Sequence, residues 1–470
     1  DAKATFYKNA DFIDLWRGPH IRYTKELKAF KLLSTAGAYW KGSEKNKMLT
    51  RIYGTAFNSK EELEKYLELR EEATKRDHRK LGKELDLFSF HQEAPANVFF
   101  HPKGVVLFNK LIEFARVENT KRGYQEIMTP LILSEELWHR SGHYDNYKEH
   151  MYFTKVDERD FAVKPMNCPG GLLIFKEKKY SYRDLPLKVG EFGRVHRHEK
   201  SGVTHGLFRV RTFVQDDAHI FCAEEQIEAE IISVIDQVFF TYKKFGFKDF
   251  EVELSTMPEK AIGSKEIWRK AEEALKGALK TAKINYRLNE GDGAFYGPKI
   301  DFHIKDSLNR KWQCGTIQLD FSMPERFKLS YVGSDGSEHQ PVMIHRAIYG
   351  SIERFMGILI EHFGGKFPFW LSPVQARLLP VSEKYLEYAK KIKGELLPRG
   401  LRVEIDDSSE KLGYKIRQAQ MQKVPYMLIV GEKEAEASKV SVRQREAGDI
   451  GAKSLPDFMK MIDKLGENVV

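Results

Sequence analysis

The sequence predicts a multidomain protein of mixed α/β and α+β class, with an antiparallel sheet in its larger part and a small α/β sheet near its C-terminus. Three observations support this prediction. The chain has 470 residues, which is enough for two to four domains with separate cores. The stretch 191–222 has the pattern of two antiparallel strands joined by a polar loop. After residue 375, strand-like and helix-like segments alternate, which is typical of a small α/β sheet.

The composition is that of an ordinary intracellular protein. Apolar residues make up 41% of the chain and charged residues 31%. No segment approaches the roughly 18 continuous apolar residues that span a membrane, and the N-terminus has no signal-peptide apolar core. We therefore expect no membrane partner and a cytoplasmic location, or an organelle matrix after removal of a transit peptide. The three cysteines, Cys168, Cys222 and Cys314, are too few for a disulfide framework and fit a reducing compartment.

The charge balance bears on the kind of partner. The net charge is +9 and the pI is near 9.0. Such a balance favours a polyanionic partner, because Lys and Arg neutralise phosphates and release counterions. A solvated basic surface fits the same charge equally well.

The N-terminal part divides into two stretches. Residues 1–58 contain short strand-like runs punctuated by Gly and Pro, and they are few for an independent core. Residues 59–88 predict a charged helix, with Ser59 as N-cap and Glu62 at capping-box spacing. Because charge runs are usually a solvated helix face, we interpret 59–88 as a helical linker.

The predicted hairpin carries charged residues at both ends of its loop. Arg197 and Glu199 end the first strand, and Arg209 lies where the chain returns. Guanidinium groups grip phosphate oxygens through paired, charge-assisted hydrogen bonds, so this arrangement suits a bound polyphosphate. The neighbouring carboxylate suits a Mg²⁺ ion or an amino group. A hairpin with solvated charges is the alternative, since single charge pairs are common on surfaces.

The residues around this hairpin resemble the second signature motif of class II aminoacyl-tRNA synthetases, whose Arg-x-Glu core is matched by Arg197 and Glu199. Longer motifs are similar to those of threonyl-tRNA synthetases: KPMNCPG at 164–170, TFVQDDAHIFC at 212–222, GAFYGPKIDF at 293–302, WQCGTIQLDF at 312–321 and VMIHRAIYGSIERF at 342–355. The resemblance covers nearly the whole chain from about Phe12 onward. It implies a class II antiparallel-sheet catalytic domain at 89–370 and an α/β anticodon-binding domain at 371–470.

The resemblance implies a zinc site, with one Zn²⁺ per subunit. Threonyl-tRNA synthetases hold zinc with one Cys and two His in the motif contexts that contain Cys168, His219 and His345. Three protein ligands leave an open position, which threonine would fill with its amino nitrogen and hydroxyl. A site that must ligate a hydroxyl rejects valine strongly, whereas serine keeps that hydroxyl. Cys222 competes as a ligand, but the alternation of side chains along a strand favours His219.

The resemblance also assigns the rest of the pocket. Asp217, Tyr296 and Gln318 resemble contacts to threonine, and Asp217 is expected to accept a hydrogen bond from its hydroxyl. Lys299 suits anionic groups, and His143 resembles a His that assists aminoacyl transfer. The expected catalytic residues are Lys299, His143, Arg197 and Arg354. The expected ATP contacts are Arg197 at the α-phosphate and the threonine carboxylate, Glu199 near adenine, Arg209 and Arg354 at the outer phosphates, Phe213 stacked on adenine, and Gln313.

Two further segments imply partners. Segment 104–133 predicts an amphipathic helix, a turn at Gly123 and a strand that reaches Pro130, and it resembles the family's first motif, which forms a homodimer interface. In the C-terminal domain, Glu434 and Arg443 are expected to contact the tRNA anticodon. For these charges a solvated surface is an equal alternative.

The N-terminal stretch departs from the family pattern. Residues 1–58 resemble the last part of the family's second N-terminal domain, which hydrolyses mischarged seryl-tRNA. The histidine-pair motif that performs this hydrolysis is absent from these 470 residues, and Trp16 stands where the family commonly has Cys. We therefore expect no editing by this chain.

The resemblance implies a two-step reaction. The threonine carboxylate attacks the α-phosphorus of ATP and releases pyrophosphate, and the threonyl group is then transferred to tRNA(Thr). Catalysis is expected from positioning and from cations, including Mg²⁺. No Walker A sequence is present, so the nucleotide site is not a P-loop. A non-catalytic, synthetase-like RNA-binding regulator is the alternative; it should lack phosphate-gripping arginines or a metal ligand, and this sequence retains all of them.

Overall fold

The computed structural model describes residues 6–15, 21, 23–40, 43, 45–306 and 310–466. Trp16 lies outside these residues. The chain divides into two compact units, Asp1–Thr74 and Lys75–Val470. In the described part, none of the helices combines the length and the apolarity that crossing a membrane requires.

The first unit is built from strand pairs. Its elements are β1 (Phe6–Asn9), β2 (Phe12–Leu15), β3 (Ala29–Tyr39), β4 (Met48–Phe57) and most of α1 (Lys60–Arg76). Antiparallel pairing joins β1 to β2 and β3 to β4. The predicted N-cap of α1 is confirmed, since the Ser59 hydroxyl accepts the backbone N–H of Glu62 at 3.1 Å.

The predicted linker helix is two helices in the structure. After α1, Asp77 adopts non-helical backbone angles and caps α2 (His78–Glu84) by accepting the Arg79 N–H at 2.8 Å. An Asp that bonds to a nearby backbone N–H competes with continuation of a helix, which accounts for the break. Three residues of α2 are buried: His78, Leu81 and Gly82. The second helix therefore has a buried face, whereas the charge run predicted a solvated face along the whole of 59–88.

The larger part of the second unit holds most of the remaining elements. In chain order they are β5 (Phe88–Ser89), β6 (Phe99–Phe100), α3 (Pro102–Lys121), β7 (Gln125–Glu126), β8 (Ile132–Ser134), α4 (Glu135–Ser141), α5 (His143–Tyr147), β9 (Tyr152–Val156), β10 (Arg159–Val163), α6 (Cys168–Lys176), β11 (Tyr180–Ser181), β12 (Leu187–His196), β13 (Thr212–Cys222), α7 (Ile227–Lys244), β14 (Phe250–Ser255), α8 (Lys265–Thr281), β15 (Arg287–Asn289), β16 (Lys299–Lys305), β17 (Lys311–Asp320), α9 (Ser322–Arg326), β18 (Tyr331–Val332), β19 (Glu338–His339), β20 (Val342–Ser351) and α10 (Ile352–Phe363).

The central feature is an eight-stranded sheet in the order β15-β14-β16-β17-β20-β13-β12-β7. Its inner pairs are antiparallel, which confirms the predicted sheet, whereas the two edge pairs are parallel. The predicted hairpin is β12 and β13, with Glu191 opposite Asp217. Its second strand begins at Thr212, later than the apolar residues from Leu207 suggested, because the chain makes a tight turn between His205 and Arg209.

The two faces of this sheet have different environments. On β13, Val214, Ala218 and Ile220 face one side and join the main core with residues from α3, α7, α8 and α10. Phe213, Asp217 and the alternate residues between them face the other side, as the two-residue period of a strand requires. The predicted helix and turn of 104–133 are observed as α3 and Gly123 at φ +80°, but the predicted strand does not reach Pro130, because β7 ends at Glu126.

The C-terminal part forms a second sheet. Its elements are β21 (Ala376–Pro380), α11 (Leu386–Leu396), β22 (Val403–Ile405), α12 (Leu412–Met421), β23 (Tyr426–Val430), α13 (Glu432–Ala437), β24 (Lys439–Gln444), β25 (Gly448–Ser454) and α14 (Leu455–Gly466). The strand order is β22-β21-β23-β24-β25, with three parallel strands followed by two antiparallel ones. The predicted small α/β sheet is thus confirmed, and it has its own apolar core.

Candidate active site

Three potential metal ligands lie together on the open face of the large sheet. Cys168 begins α6, His219 lies on β13 and His345 lies on β20. All three are buried, and their ligand atoms lie within 4.8 Å of one another. The two histidines are directly opposite in the β13–β20 ladder, and their ring centroids are 5.0 Å apart. Cys222, the competing ligand, packs into the main core.

The chemistry of this donor set fits a zinc ion. The Nε2 atom of His219 is buried and has no hydrogen-bond partner among the described residues. His345 uses Nε2 to contact Asp320 Oδ2 at 3.0 Å, which leaves Nδ1 as its ligand atom. Burial lowers the pKa of His219 and raises the pKa of the Cys168 thiol. The imidazole is therefore in the neutral form that binds metals, and an unpartnered buried nitrogen is what a metal would satisfy.

Buried polar contacts fix the segment that leads to Cys168. Lys164 Nζ lies 2.8 Å from Glu191 Oε1, and both side chains are almost fully buried. Asn167 donates from Nδ2 to Asp217 Oδ2 at 3.2 Å. The backbone of Gly193 approaches so closely that a Cβ there would lie 2.0 Å from Asn167 Oδ1. A larger residue at Gly193 would therefore displace the Asn167 side chain from its contact with Asp217.

A cavity of about 460 Å³ opens beside this cluster. Two of the metal-ligand candidates, Cys168 and His345, form part of its wall. Most of the other predicted site residues also line it: Arg197, Phe213, Asp217, Tyr296, Lys299, Gln313, Gln318 and Arg354. Residues from five separate motifs therefore share one pocket.

The polar wall contains groups suited to a small amino acid. The Tyr296 hydroxyl donates to Gln318 Oε1, and burial raises the Tyr296 pKa well above its usual value, so it remains a donor. Burial also raises the pKa of Asp217 to about 6. Lys299 Nζ lies 2.9 Å from Asp301 Oδ2, which holds its charge at the pocket wall. The pocket thus offers hydroxyl, carboxylate and ammonium groups.

Three guanidinium groups form what we call the arginine cluster: Arg197, Arg209 and Arg354. Arg354 donates from Nε to the Phe208 carbonyl and from Nη1 to the Gln313 carbonyl, each at 2.9 Å. Burial lowers the pKa of Arg354, and its two like-charged neighbours lower it further. Concentrated positive charge of this kind is typical of a site for a polyanion.

Aromatic rings border the same region. The Arg197 guanidinium lies 5.1 Å from the centroid of Phe213 and 5.6 Å from that of Tyr147, and its Nε donates to the Pro165 carbonyl at 3.1 Å. These contacts hold the guanidinium at the pocket wall. Gln313 is restrained as well, because its Nε2 donates to Asp301 Oδ1 at 2.5 Å.

Four of the residues predicted for the catalytic, ATP and metal sites do not line the pocket. Glu199 is half-buried and Arg209 is exposed, both in the loop between β12 and β13. His219 is buried and does not form part of the wall. His143 is fully buried at the start of α5 and not in a loop, with Nε2 3.0 Å from Met166 Sδ and 3.9 Å from Cys168 Sγ. Because Met166 lines the pocket, a contact between His143 and a ligand would require Met166 to shift.

The adjacent Asp216 and Asp217 both lie on β13. Asp216 points into the core and accepts the backbone N–H groups of Ile348, Tyr349 and Gly350 at 2.9, 2.9 and 3.0 Å. Asp217 points into the pocket. The two carboxylates therefore have separate environments on opposite faces of β13.

The two anticodon candidates lie in the C-terminal sheet region. Glu434 is half-buried and accepts the Gly431 N–H at 3.0 Å, which caps α13. Arg443 is half-buried on β24, and its buried Nε has no partner among the described residues. Neither contributes to the wall of the large pocket.

Sequence reasoning missed the residues that support this site. Asp320 contacts His345, Asn167 contacts Asp217, and Asp301 binds Gln313 and Lys299. Asp320 had a usable signal, because it lies two residues after Gln318 on a strand and so shares its face. Asp301 had the same signal with respect to Lys299, two residues before it on one strand. The contacts of Asp301 with Gln313 and of Asn167 with Asp217 had none, since these partners are known only once the elements are brought together.

The fold and the site define a class II aminoacyl-tRNA synthetase. Three family models match the chain: "tRNA synthetase class II core domain (G, H, P, S and T)" at residues 152–363, "Anticodon binding domain" at 375–465, and "Threonyl and Alanyl tRNA synthetase second additional domain" at 4–53. Threonine–tRNA ligase of Acetivibrio thermocellus is 61% identical over 458 residues, covering 97% of this chain and 72% of that protein. The chain belongs to the threonyl-tRNA synthetase family.

Other relatives agree with this assignment. Threonine–tRNA ligase of Clostridium tetani is 60% identical over 459 residues, covering 98% of this chain and 72% of that protein. Among solved structures, the RNA binding domain of threonyl-tRNA synthetase from Cryptosporidium parvum is 47% identical, with a TM-score of 0.80, covering 83% of this chain and 98% of that one.

Proposed function

We propose that this chain ligates L-threonine to tRNA(Thr) through a threonyl-adenylate, and that a zinc ion selects threonine. The observation that carries the proposal is one pocket lined by two members of a buried Cys–His–His cluster and by two members of the arginine cluster. Metal ligands and guanidinium groups in one cavity suit a substrate pair in which one partner has a ligating hydroxyl and the other is a polyphosphate.

Threonine recognition is proposed to depend on both the metal and the wall. Zinc held by Cys168, His219 and His345 would supply a Lewis acid with an open position for the amino and hydroxyl groups of threonine. Asp217 would accept a hydrogen bond from that hydroxyl, and the bonded Tyr296–Gln318 pair would orient the amino group. Valine would leave these polar groups unpaired, which is a much larger penalty than a difference in shape.

Activation of threonine is proposed to occur by in-line displacement. The threonine carboxylate is already ionised, forms a bond to the α-phosphorus, and the bond to the β-phosphate oxygen breaks as pyrophosphate leaves with Mg²⁺. Arg197 would bridge the α-phosphate and the carboxylate, while Arg209 and Arg354 would hold the outer phosphates. Phe213, Gln313 and Glu199 would contact the adenosine, and Lys299 would neutralise anionic groups.

Transfer completes the proposed reaction. A hydroxyl of the terminal tRNA ribose attacks the threonyl carbonyl, and AMP leaves. His143 is proposed to assist this step, with Glu434 and Arg443 contacting the anticodon.

We assign residues 1–58 to part of the editing domain, 59–88 to a linker, 89–370 to the catalytic domain and 371–470 to the anticodon-binding domain. We also propose a homodimer formed through α3 and β7. We expect no seryl-tRNA hydrolysis, because the histidine-pair motif is absent from these 470 residues.

The proposal is tested by threonine-dependent ATP–pyrophosphate exchange together with zinc content. We expect about one zinc per chain, exchange with threonine, weaker exchange with serine, and almost none with valine because the hydroxyl is missing. A folded, zinc-loaded protein without exchange would favour the non-catalytic RNA-binding alternative.

Cys168→Ser isolates the contribution of the metal. The substitution removes a thiolate ligand, so zinc and threonine-dependent exchange should both be lost while circular dichroism remains native. Cys222→Ala is the matched control, since this buried cysteine lies in the main core and should leave zinc content unchanged. Normal exchange by a folded, zinc-free Cys168→Ser protein would contradict the proposal that zinc binds threonine.

A further inference from the structure

We propose that His78, on α2, is a positioning residue that fixes the loop carrying Arg209 beside the rest of the arginine cluster. The inference rests on the proposed function, because Arg209 is a proposed ATP contact. His78 touches no pocket-lining residue of that cluster directly. It acts through the backbone of the loop between β12 and β13.

Both ring nitrogens of His78 are engaged. The ring is fully buried, and Nδ1 lies 2.8 Å from Glu361 Oε1 while Nε2 lies 3.0 Å from the backbone N of Leu207. A backbone N–H can only donate, so Nε2 is the acceptor and Nδ1–H donates to Glu361. Glu361 also accepts the backbone N–H of His78 at 3.2 Å. Asp77, His78 and Glu361 lie close enough together to be candidate metal ligands. Both ring nitrogens of His78 already have hydrogen-bond partners, however, so neither is available to an ion.

The loop held by His78 is a tight turn. The His205 carbonyl accepts the N–H of Phe208 at 2.9 Å and that of Arg209 at 3.3 Å. Gly206 has φ +49°, and a Cβ there would lie 2.2 Å from His78 Nε2. The Phe208 ring lies 4.2 Å from the His78 ring, measured between centroids. The turn therefore packs directly on His78 through backbone and side-chain contacts.

The opposite side of the turn is held by Arg354, whose Nε donates to the Phe208 carbonyl. Arg354 and Glu361 both belong to α10, separated by about two helical turns. Helix α10 therefore holds the loop at two points: Arg354 bonds directly to Phe208, and Glu361 acts through His78 on Leu207. Arg209 follows immediately, so its approach to a like-charged neighbour is enforced by hydrogen bonds on both sides.

The inference is tested by comparing His78→Asn with His78→Gln. An Asn amide can still donate to Glu361 but does not reach Leu207, whereas a Gln amide oxygen reaches the position of Nε2. We expect His78→Asn to raise the KM for ATP and the calorimetric Kd for ATP roughly tenfold, as for one lost hydrogen bond. His78→Gln should return both to within about threefold of wild type, with the KM for threonine and the zinc content unchanged in both variants.

Two results would overturn the inference, and a second variant keeps it testable if the first does not fold. A merely structural role would lower the melting temperature and the active fraction but leave the affinity for ATP unchanged, which would overturn the inference. In an Arg209→Ala background, His78→Asn should cause no further loss, and an additive loss would also overturn it. If His78→Asn does not fold, Glu361→Gln, which weakens the acceptor for Nδ1–H, should raise the Kd for ATP about threefold. Because calorimetry needs no turnover, absence of exchange in wild type rejects the proposed function separately.

Discussion

At the scale of single residues, two neighbouring carboxylates have different tasks. Asp216 is buried and accepts three backbone N–H groups of β20, at the point where the register of β13 and β20 shifts. Asp217 faces the pocket and the metal-ligand candidates. One carboxylate therefore stabilises the strand pair, and the other is available to a substrate.

Alanine substitution should separate these tasks. Asp216→Ala leaves buried donors unpaired and should lower the free energy of unfolding by about 2–5 kcal/mol in a urea titration. Asp217→Ala should change the free energy of unfolding by less than about 1 kcal/mol. It should nevertheless raise the KM for threonine at least roughly tenfold. Equal stability losses in the two variants would contradict the assignment of opposite faces.

Residue identities were predictable where a motif or a strand period carried them. The period of two placed Asp217 with His219 on one face, and motif contexts led to ten residues that line one pocket. The contacts of Asn167 with Asp217 and of Asp301 with Gln313 could not be predicted, because each depends on the register of another element. The burial of His143 was also unpredictable, since its neighbour Met166 is distant in sequence.

At the scale of elements, the loop between β12 and β13 combines a closely packed position with an open one. It contains two glycines with different surroundings. Gly206 adopts φ +49° against His78, whereas a Cβ at Gly202 would meet nothing within 4 Å. The same substitution therefore has different consequences four residues apart.

Gly206→Ala and Gly202→Ala form a matched pair for this loop. Gly206→Ala combines a left-handed conformation, which costs roughly 1–2 kcal/mol, with a clash against a buried ring. We expect at least about a tenfold loss of exchange at limiting ATP, because the turn must move away from α2. Gly202→Ala should retain exchange within about twofold. Similar activities for the two variants would show that the turn does not need its observed shape.

Local patterns predicted most elements but not every boundary. The hairpin, α3 with its turn at Gly123, and the elements from β21 to β23 follow from periodicity and glycine positions. The break at Asp77 was missed because the flanking residues suit a continuous charged helix, and the Asp77 cap that separates the two helices is seen only in the structure. The second strand of the hairpin starts late for a similar reason, since its apolar Leu207 and Phe208 pack in a turn.

At the scale of the whole molecule, the proposed chemistry belongs to one unit. Every residue proposed to bind threonine, ATP or metal lies in Lys75–Val470, which also contains the large core. The second sheet has a separate apolar core within that unit. Chain length and the alternation of strand-like and helix-like segments predicted several cores. They did not predict that the core of the large sheet and the core of the C-terminal sheet would belong to one compact unit.

Removal of residues 1–58 tests this organisation and retains α1. The shortened chain should keep threonine-dependent exchange within about threefold of the full chain, because the pocket and its supporting contacts remain. Zinc content should also be unchanged. A cooperative unfolding transition with loss of exchange would show that the first unit contributes to the reaction.

The pairing of His219 with His345 has a further consequence. Opposite residues of an antiparallel ladder are held at a spacing set by the backbone, so strand pairing fixes the separation of the backbones that carry these two imidazoles. The conformational entropy of bringing them together is lost when the strands pair and not when an ion arrives. The backbone thus fixes in advance the gap that an ion must match, and the sheet contributes to ion selection without touching the ion.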